Sequence, residues 1–234
     1  MKSNLTPFDM TRGNTNPGSF FSTFFKEREN DLVGCGPIQS LATATEIFRE
    51  DEPAELVYLI ERGIVKLGQI GLDGKEIIVG LRSRYWLLGS PAVFLGVPYT
   101  FAATTLTPCR LRPITAKCFF HLLKTSEIFS WETYRQLSQS IHSGLNTIVE
   151  VSHMSAEGRL VNFLCQLVAE ICPEKTQTRN SFHVPLKHHE LADIVGVSSE
   201  HLCRLVKKIE REGVIISTKG MLTIQDVSKL SPAS

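Results

Sequence analysis

The sequence predicts an α+β chain in three parts: a domain of short strands, one long helix with an apolar seam, and a winged helix-turn-helix. Three observations carry this. Residues 55–114 hold apolar runs punctuated by Gly and Asp-Gly. Leu137, Ile141, Leu145, Ile148 and Val151 recur at intervals of three and four. Residues 187–213 (KHHELADIVGVSSEHLCRLVKKIEREG) read as two short helices around a tight turn.

A chain of 234 residues has room for two modest cores. The expected division is an N-terminal tail and short helix over 1–43, a strand domain over 44–126, a dimerisation helix over 127–153 and a DNA-binding-type domain over 154–234. The net charge of +1 excludes binding to polyanions by bulk charge, so any recognition of DNA must come from a local surface and from pairing two such surfaces. Six cysteines show no CxxC and no zinc-ribbon spacing, so buried thiols are expected, with no metal and no other cofactor. No apolar run is long enough to cross a bilayer and no signal-like segment is evident; a cytoplasmic protein without a membrane partner is expected.

Along the chain, the first forty residues mix polar, Gly and Pro residues before Phe20, Phe21, Phe24 and Phe25, which suggest a tail and a short helix. Strands are expected at 55–60, 64–70, 76–81, 99–106 and 109–114. Asp73-Gly74 marks a hairpin between the second and third, because both residues tolerate positive φ. Many short strands without long intervening helices argue for a barrel or sandwich. Residues 116–123 (AKCFFHLL) form a short helix and a long one follows over about 129–153. Its seam suits a matching helix of a second subunit, and Ser140, Ser143 and Gly144 at its middle permit close approach.

Ser155 is placed to cap the next helix, whose buried side is Leu160, Phe163, Leu164 and Leu167. A polar turn region over 173–181 and a short strand over 182–186 lead to the helix-turn-helix. Its second helix turns Leu202, Leu205, Val206 and Ile209 inward, is capped by Ser198 or Ser199, and stops at Gly213. Such a helix has the width and short leading side chains that suit a major groove. Residues 214–216 and 221–224 flank a turn and read as a wing with Lys219 near its tip, able to meet a phosphate.

Taken together, LVYLIERGIVKLGQIGLDGKEIIVGL, with Gly63 and Gly74 at its turns, Gly89 opening a later cassette, EGRLVNFLCQL at 157–167 and GVSSEHLCRLVKKIEREGVI resemble the CRP/FNR superfamily of bacterial transcription regulators. The resemblance spans about residues 45–224. It implies a cyclic-nucleotide-binding-like β-roll, and a homodimer that binds a two-fold related site on double-stranded DNA and regulates transcription, often through contacts with RNA polymerase. It further implies base-reading roles for Ser199, Glu200 and Arg204, where the family often has an Arg or related residue, a Glu and an Arg; Ser199 departs from the usual long cation. Glu200 would accept from cytosine and Arg204 donate to guanine, with His201 at a phosphate or base edge. Lys187, Lys207, Lys208 and Lys219 would supply phosphate contacts.

In members that bind cyclic nucleotides, a Gly-Glu opening holds the ribose and an Arg-Ser pair the cyclic phosphate. Gly89 remains here, but Ser90 stands in place of the Glu and Thr100-Phe101 in place of the Arg-Ser pair. A buried phosphate would lack its cation, so cyclic AMP or GMP is not the expected effector. Trp86, Phe94, Tyr99 and Phe101 are expected to fill the vacated pocket, the alternative being that they line a pocket for an apolar ligand. Arg82, Arg84 and Arg110 leave open an anionic metabolite, the alternative being a solvated rim. With only Cys35 in the N-terminal part, an iron-sulfur cluster of the clustered-cysteine kind is not expected, and no local ligand arrangement around His121, His142 or Cys109 supports haem. The chain contains no Walker loop, dinucleotide fingerprint, nucleophile elbow or HExxH, which argues against an enzyme. The competing class is an effector-binding or protein-interaction module without sequence-specific DNA activity.

Overall fold

A computed structural model of the protein describes residues 35–71, 76–171, 182–218, 221–225 and 230. Residues 1–34 of the expected N-terminal tail and short helix, the Asp73-Gly74 turn, the polar turn over 173–181 and Lys219 lie outside the described residues.

Two antiparallel sheets build the first half. One orders β1 (Gln39–Leu41), β8 (Cys109–Thr115), β3 (Leu56–Arg62) and β6 (Leu87–Leu88); the other orders β2 (Glu46–Phe48), β7 (Ala102–Thr105), β4 (Val65–Ile70) and β5 (Glu76–Arg82). Val57, Leu59, Ile60, Val65, Leu111 and Ile114 are buried between and beneath them, as the apolar strand runs require. Because β1 pairs with β8, the sheet opens ahead of residue 44, where the sequence placed the start of this domain. A short helix α1 (Ser90–Leu95), which periodicity did not announce, follows Gly89.

The strand expected over 99–106 is shorter. Pro98 cannot donate to a ladder, and the Tyr99 amide and carbonyl are bonded instead to Glu52 O (3.0 Å) and Asp51 N (2.9 Å). Tyr99 thus enters the core from a loop.

Helix α2 (Ala116–Thr125) is capped by the Thr115 hydroxyl, and α3 (Glu127–His153) by the Ser126 hydroxyl, which accepts from Phe129 N at 3.3 Å. The first half of α3 is fastened to the strand domain. Gln136 accepts from Leu87 N (3.0 Å) and donates to Tyr85 O (2.8 Å), so one buried amide fixes the angle at which the helix leaves the sheet. At Met154 the backbone turns extended, Ser155 caps α4 (Ala156–Ile171) by accepting from Gly158 N, and the chain passes into the second half.

There, β9 (Phe182–Lys187), β10 (Ile215–Thr218) and β11 (Met221–Ile224) form a three-stranded sheet in the order β10-β11-β9. It backs α5 (His188–Val195) and α6 (Ser199–Arg211). Leu160, Leu164, Leu191, Leu202, Val206 and Ile209 make their common core, each worth roughly 1.5–3 kcal/mol on burial. That core does not end at the domain boundary: Ile64, Ile78 and Leu81 of the strand domain belong to the same cluster.

Candidate nucleic-acid interface

Residue by residue, the helix-turn-helix follows from local chemistry. Gly196 (φ +71°) ends α5 in the left-handed region, and its amide bonds back to Ala192 O and Asp193 O. Ser198, and not Ser199, caps α6 by accepting from His201 N at 3.2 Å. Gly213 (φ +70°) stops α6 where expected. With Leu202, Val206 and Ile209 buried and Leu205 half-buried, the helix presents Ser199, Glu200, His201, Cys203, Arg204 and Lys207 to solvent. Glu200 and Arg204 lie one turn apart, yet among the described residues neither side chain makes an ion pair or hydrogen bond. Both are available to a ligand.

The four expected phosphate-contacting lysines separate. Lys187 and Lys207 are exposed. Lys208 bonds Glu157 of α4 at 2.6 Å, and that carboxylate holds its ammonium above the ordinary lysine range, so Lys208 ties the helices together as well as facing solvent. Lys219 is outside the described residues.

Two features escaped sequence reasoning. His188 has Nε2 3.1 Å from Ser217 Oγ of the wing and Nδ1 3.9 Å from Cys203 Sγ of α6. It links the wing to the exposed side of α6. Arg159 of α4 donates from Nε to Val195 O and from Nη1 to Met154 O, each at 2.9 Å, connecting the end of α5 to the turn after α3. Neither bond leaves a periodic signal, because each joins residues from separate elements.

Along α3, Ile141, Leu145, Ile148 and Val151 are 58–66% exposed, so one chain leaves this stripe uncovered. A Cβ at Gly144 would meet nothing within 4 Å. Leu137 differs, being already half-buried within its own chain. Toward the N-terminus the exposed apolar surface continues through Trp131 and Tyr134, in edge-to-face contact at 6.4 Å, which the sequence stripe did not include.

In the expected effector pocket, Gly89 has φ +76°, and a Cβ there would lie 2.6 Å from Tyr99 Cε1. Tyr99 stacks on Phe48 at 3.9 Å and donates its hydroxyl to Leu56 O at 2.5 Å. Burial pushes its phenol up to about 12. Ser90 is buried and donates to Leu87 O at 3.0 Å. Of the aromatics expected to fill the pocket, Tyr99 lies in one core cluster with Phe48, and Trp86 packs against that cluster. Phe94 does not contribute as expected: it is 46% exposed on α1 and faces Phe120 of α2. Phe101 is half-buried and Thr100 exposed.

The three arginines near this region have protein contacts. The Arg82 guanidinium lies 4.6 Å above the Trp86 ring, that of Arg84 4.3 Å above Tyr85, and Arg110 is 3.5 Å from Glu61. Cys109 is buried with its thiol near the carbonyls of Ile64 and Thr107, while His121 and His142 are exposed on α2 and α3. Among the described residues no three His, Cys, Asp or Glu side chains cluster as metal ligands, and no helix is long and apolar enough to cross a membrane.

Between the halves sits a buried ion group. Lys66 Nζ of β4 donates to Glu190 Oε1 of α5 at 2.8 Å and to Glu76 Oε2 of β5 at 2.7 Å. Burial alone would raise the Glu190 carboxyl. Hydrogen bonds from the Lys66 ammonium and the Lys187 amide, with nearby His189, outweigh it and hold the carboxyl below its ordinary 4.5. Burial likewise pulls Lys66 down, and Glu190 and Glu76 more than reverse that, to above 10.5. The Glu190 contribution to stability is thus complete above pH 4.5 and fades as pH falls through its lower folded value. That of Lys66 is complete below pH 10.5 and fades above its raised value. A Glu190→Gln variant should melt below the parent at pH 7, and thermal denaturation should find the gap narrowing as the pH drops below 4.5. A gap independent of pH would mean the charge contributes nothing.

Residues 38–126 match the cyclic nucleotide-binding domain family, and residues 158–233 the Crp-like helix-turn-helix domain family. The chain is similar to a CRP-like cAMP-activated global transcriptional regulator of Mycobacterium tuberculosis, 24% identical over 185 residues (79% of this chain, 82% of the relative). It is also similar to a global nitrogen regulator of Nostoc sp., 26% identical over 190 residues (79% and 83%). Among solved structures, FixK2 from Bradyrhizobium japonicum shares the fold, with a TM-score of 0.70 at 17% identity over 85% of this chain and 98% of that one.

Proposed function

The chain belongs to the CRP/FNR superfamily of bacterial transcription regulators, and from that premise we propose that it acts in the cytoplasm as a homodimer reading a pseudo-palindromic DNA site without a cyclic nucleotide. The observation that carries this is the solvent face of α6, where Glu200 and Arg204 stand exposed without a protein partner among the described residues, behind a Ser198 cap and a buried apolar side. Ser199, Glu200, His201 and Arg204 read base edges, and Lys187, Lys207, Lys208 and Lys219 set the phosphate register. For Lys208 the phosphate competes with Glu157.

Pairing two copies through Ile141, Leu145, Ile148 and Val151, with Leu137 at the margin, covers the exposed stripe on α3. It would set two α6 helices on half-sites about 34–36 Å apart. It also answers the net charge of +1, since phosphate contacts of both copies add within one binding event. Contacts with RNA polymerase would convert occupancy into regulation. Independence from cyclic nucleotides is supported by Tyr99, whose ring packs over Gly89 and whose hydroxyl is engaged, in a pocket where Ser90 turns back onto Leu87. Opening that site would require displacing a ring stacked on Phe48.

Selection of bound duplexes from a random pool, by purified protein with no added effector, tests the proposal. The expected winner is an inverted repeat bound with an affinity that falls steeply with salt. No enrichment by a verified dimer, with or without added cyclic nucleotide, would favour the protein-interaction module instead.

A further inference from the structure

The first helix of the helix-turn-helix is held from two sides. Its own domain supplies the apolar core; the other hold comes from the strand domain, whose Lys66 reaches across to Glu190, a partner 124 residues away in sequence. Lys66 and Glu190 are each only 8% exposed. Glu190 uses its second oxygen to accept the Lys187 amide at 2.9 Å, at the junction where β9 becomes α5. One carboxylate therefore fixes the start of α5 and binds it to β4. Glu76 completes the group, and Gly68 makes room for it: a Cβ there would fall 2.8 Å from Glu76 Oε1.

Apolar contact alone would not set the angle. Ile64, Ile78 and Leu81 pack on the second domain's core, but packing of this kind is non-directional and tolerates sliding. An ammonium shared by two carboxylates at 2.7 and 2.8 Å is satisfied in one arrangement, since a buried charge shifted off its partner is left uncompensated. Helix α5 in turn carries α6 through the Gly196 turn and the shared packing of Leu191, Leu202 and Val206.

We infer that Lys66 is a positioning residue for DNA recognition: by holding Glu190 it fixes the reading helix relative to the strand domain and α3, and so sets the half-site spacing the dimer accepts. The inference rests on the DNA-binding function proposed above. Lys66 touches no base in this scheme. Its loss should leave the half-site sequence intact and blur the spacing.

The test compares the parent with Lys66→Met, Lys66→Arg, Glu190→Gln and the Lys66→Met/Glu190→Gln pair as full-length proteins. Hydrogen exchange without DNA reads the hold directly, and binding uses the duplex selected from the random pool together with versions carrying one or two extra base pairs between the half-sites. In Lys66→Met, exchange should quicken in α5 and β5 with α3 unchanged. Affinity for the selected duplex should fall about tenfold while the respaced duplexes lose less, so that spacing preference shrinks. Lys66→Arg should restore both readouts, and the pair should be no worse than the single variants, because each removes the same interaction.

Unchanged exchange and unchanged spacing preference in Lys66→Met would overturn the inference, as would equal weakening on all duplexes. Should Lys66→Met not fold, Glu76→Gln weakens the same group from its more exposed side and faces the same criteria. If the parent selects no DNA, the proposed function fails, and the exchange comparison still decides whether Lys66 holds α5.

Discussion

Leu145→Asp should turn the dimer into a monomer and abolish tight binding of the inverted repeat. Leu145 is 58% exposed at the centre of the α3 stripe, with Ile141 and Ile148 on either side. In a symmetric pair of helices each copy would bury the new carboxylate against apolar side chains and close to its twin. Desolvating an unpaired charge costs several kcal/mol, so a loss of roughly 4 kcal/mol, about a thousandfold in the dimer constant, is a modest expectation. Sedimentation velocity reads it. The folded monomer should persist, because the half of α3 that packs on the strand domain, through Phe129, Thr133 and Gln136, lies away from the substitution. DNA binding should fall with dimerisation, since one copy keeps a single half-site. A variant that sediments as a normal dimer would place the interface elsewhere, and Trp131 and Tyr134 would be the next surface to examine.

How far this architecture was legible depends on which signals are periodic. Alternating apolar strands, the three-and-four spacing of α3 and the apolar face of α6 are repeated along the chain, and the corresponding elements stand where the sequence placed them. Single-residue events were less visible. That Ser198 rather than Ser199 caps α6 depends on which residue leaves the helical region first, and both have the right chemistry. Tyr99 looked like strand because its neighbours are apolar and aromatic; Pro98 and bonds to the preceding loop take it out of the ladder.

Least legible were contacts joining distant segments. Lys66 sits in the run IVKLGQI, where a lone Lys between apolar residues reads as a solvated strand position, and its partner Glu190 lies beyond a complete domain. His188 and Arg159 escaped for the same reason. The candidate reading face is the intermediate case. Its exposed positions follow from helical spacing, whereas the roles proposed for Ser199, Glu200, His201 and Arg204 come from the family resemblance. Cys203 belongs to the same exposed face beside His188, where the spacing that assigns Leu202 and Val206 to the core also places it.

Arg204→Ala should relax sequence preference while leaving the dimer and its fold untouched. The guanidinium is exposed on α6, has no protein partner among the described residues, and is replaced by the residue that favours helix most. Its planar fork suits bidentate donation to guanine O6 and N7, an interaction worth about 1–3 kcal/mol of discrimination per base pair. Two half-sites carry the loss twice. Competition between the selected duplex and versions with the contacted pair exchanged should therefore show preference falling by roughly ten- to hundredfold per half-site, at that position and not at others. Lys207→Ala supplies the contrast. A lysine at a phosphate should weaken all duplexes alike and flatten the salt dependence by about one ion per copy. If Arg204→Ala behaves like Lys207→Ala, Arg204 positions the helix on the backbone and the sequence is read elsewhere on α6. If it keeps full preference and full affinity, α6 does not enter the groove with this face.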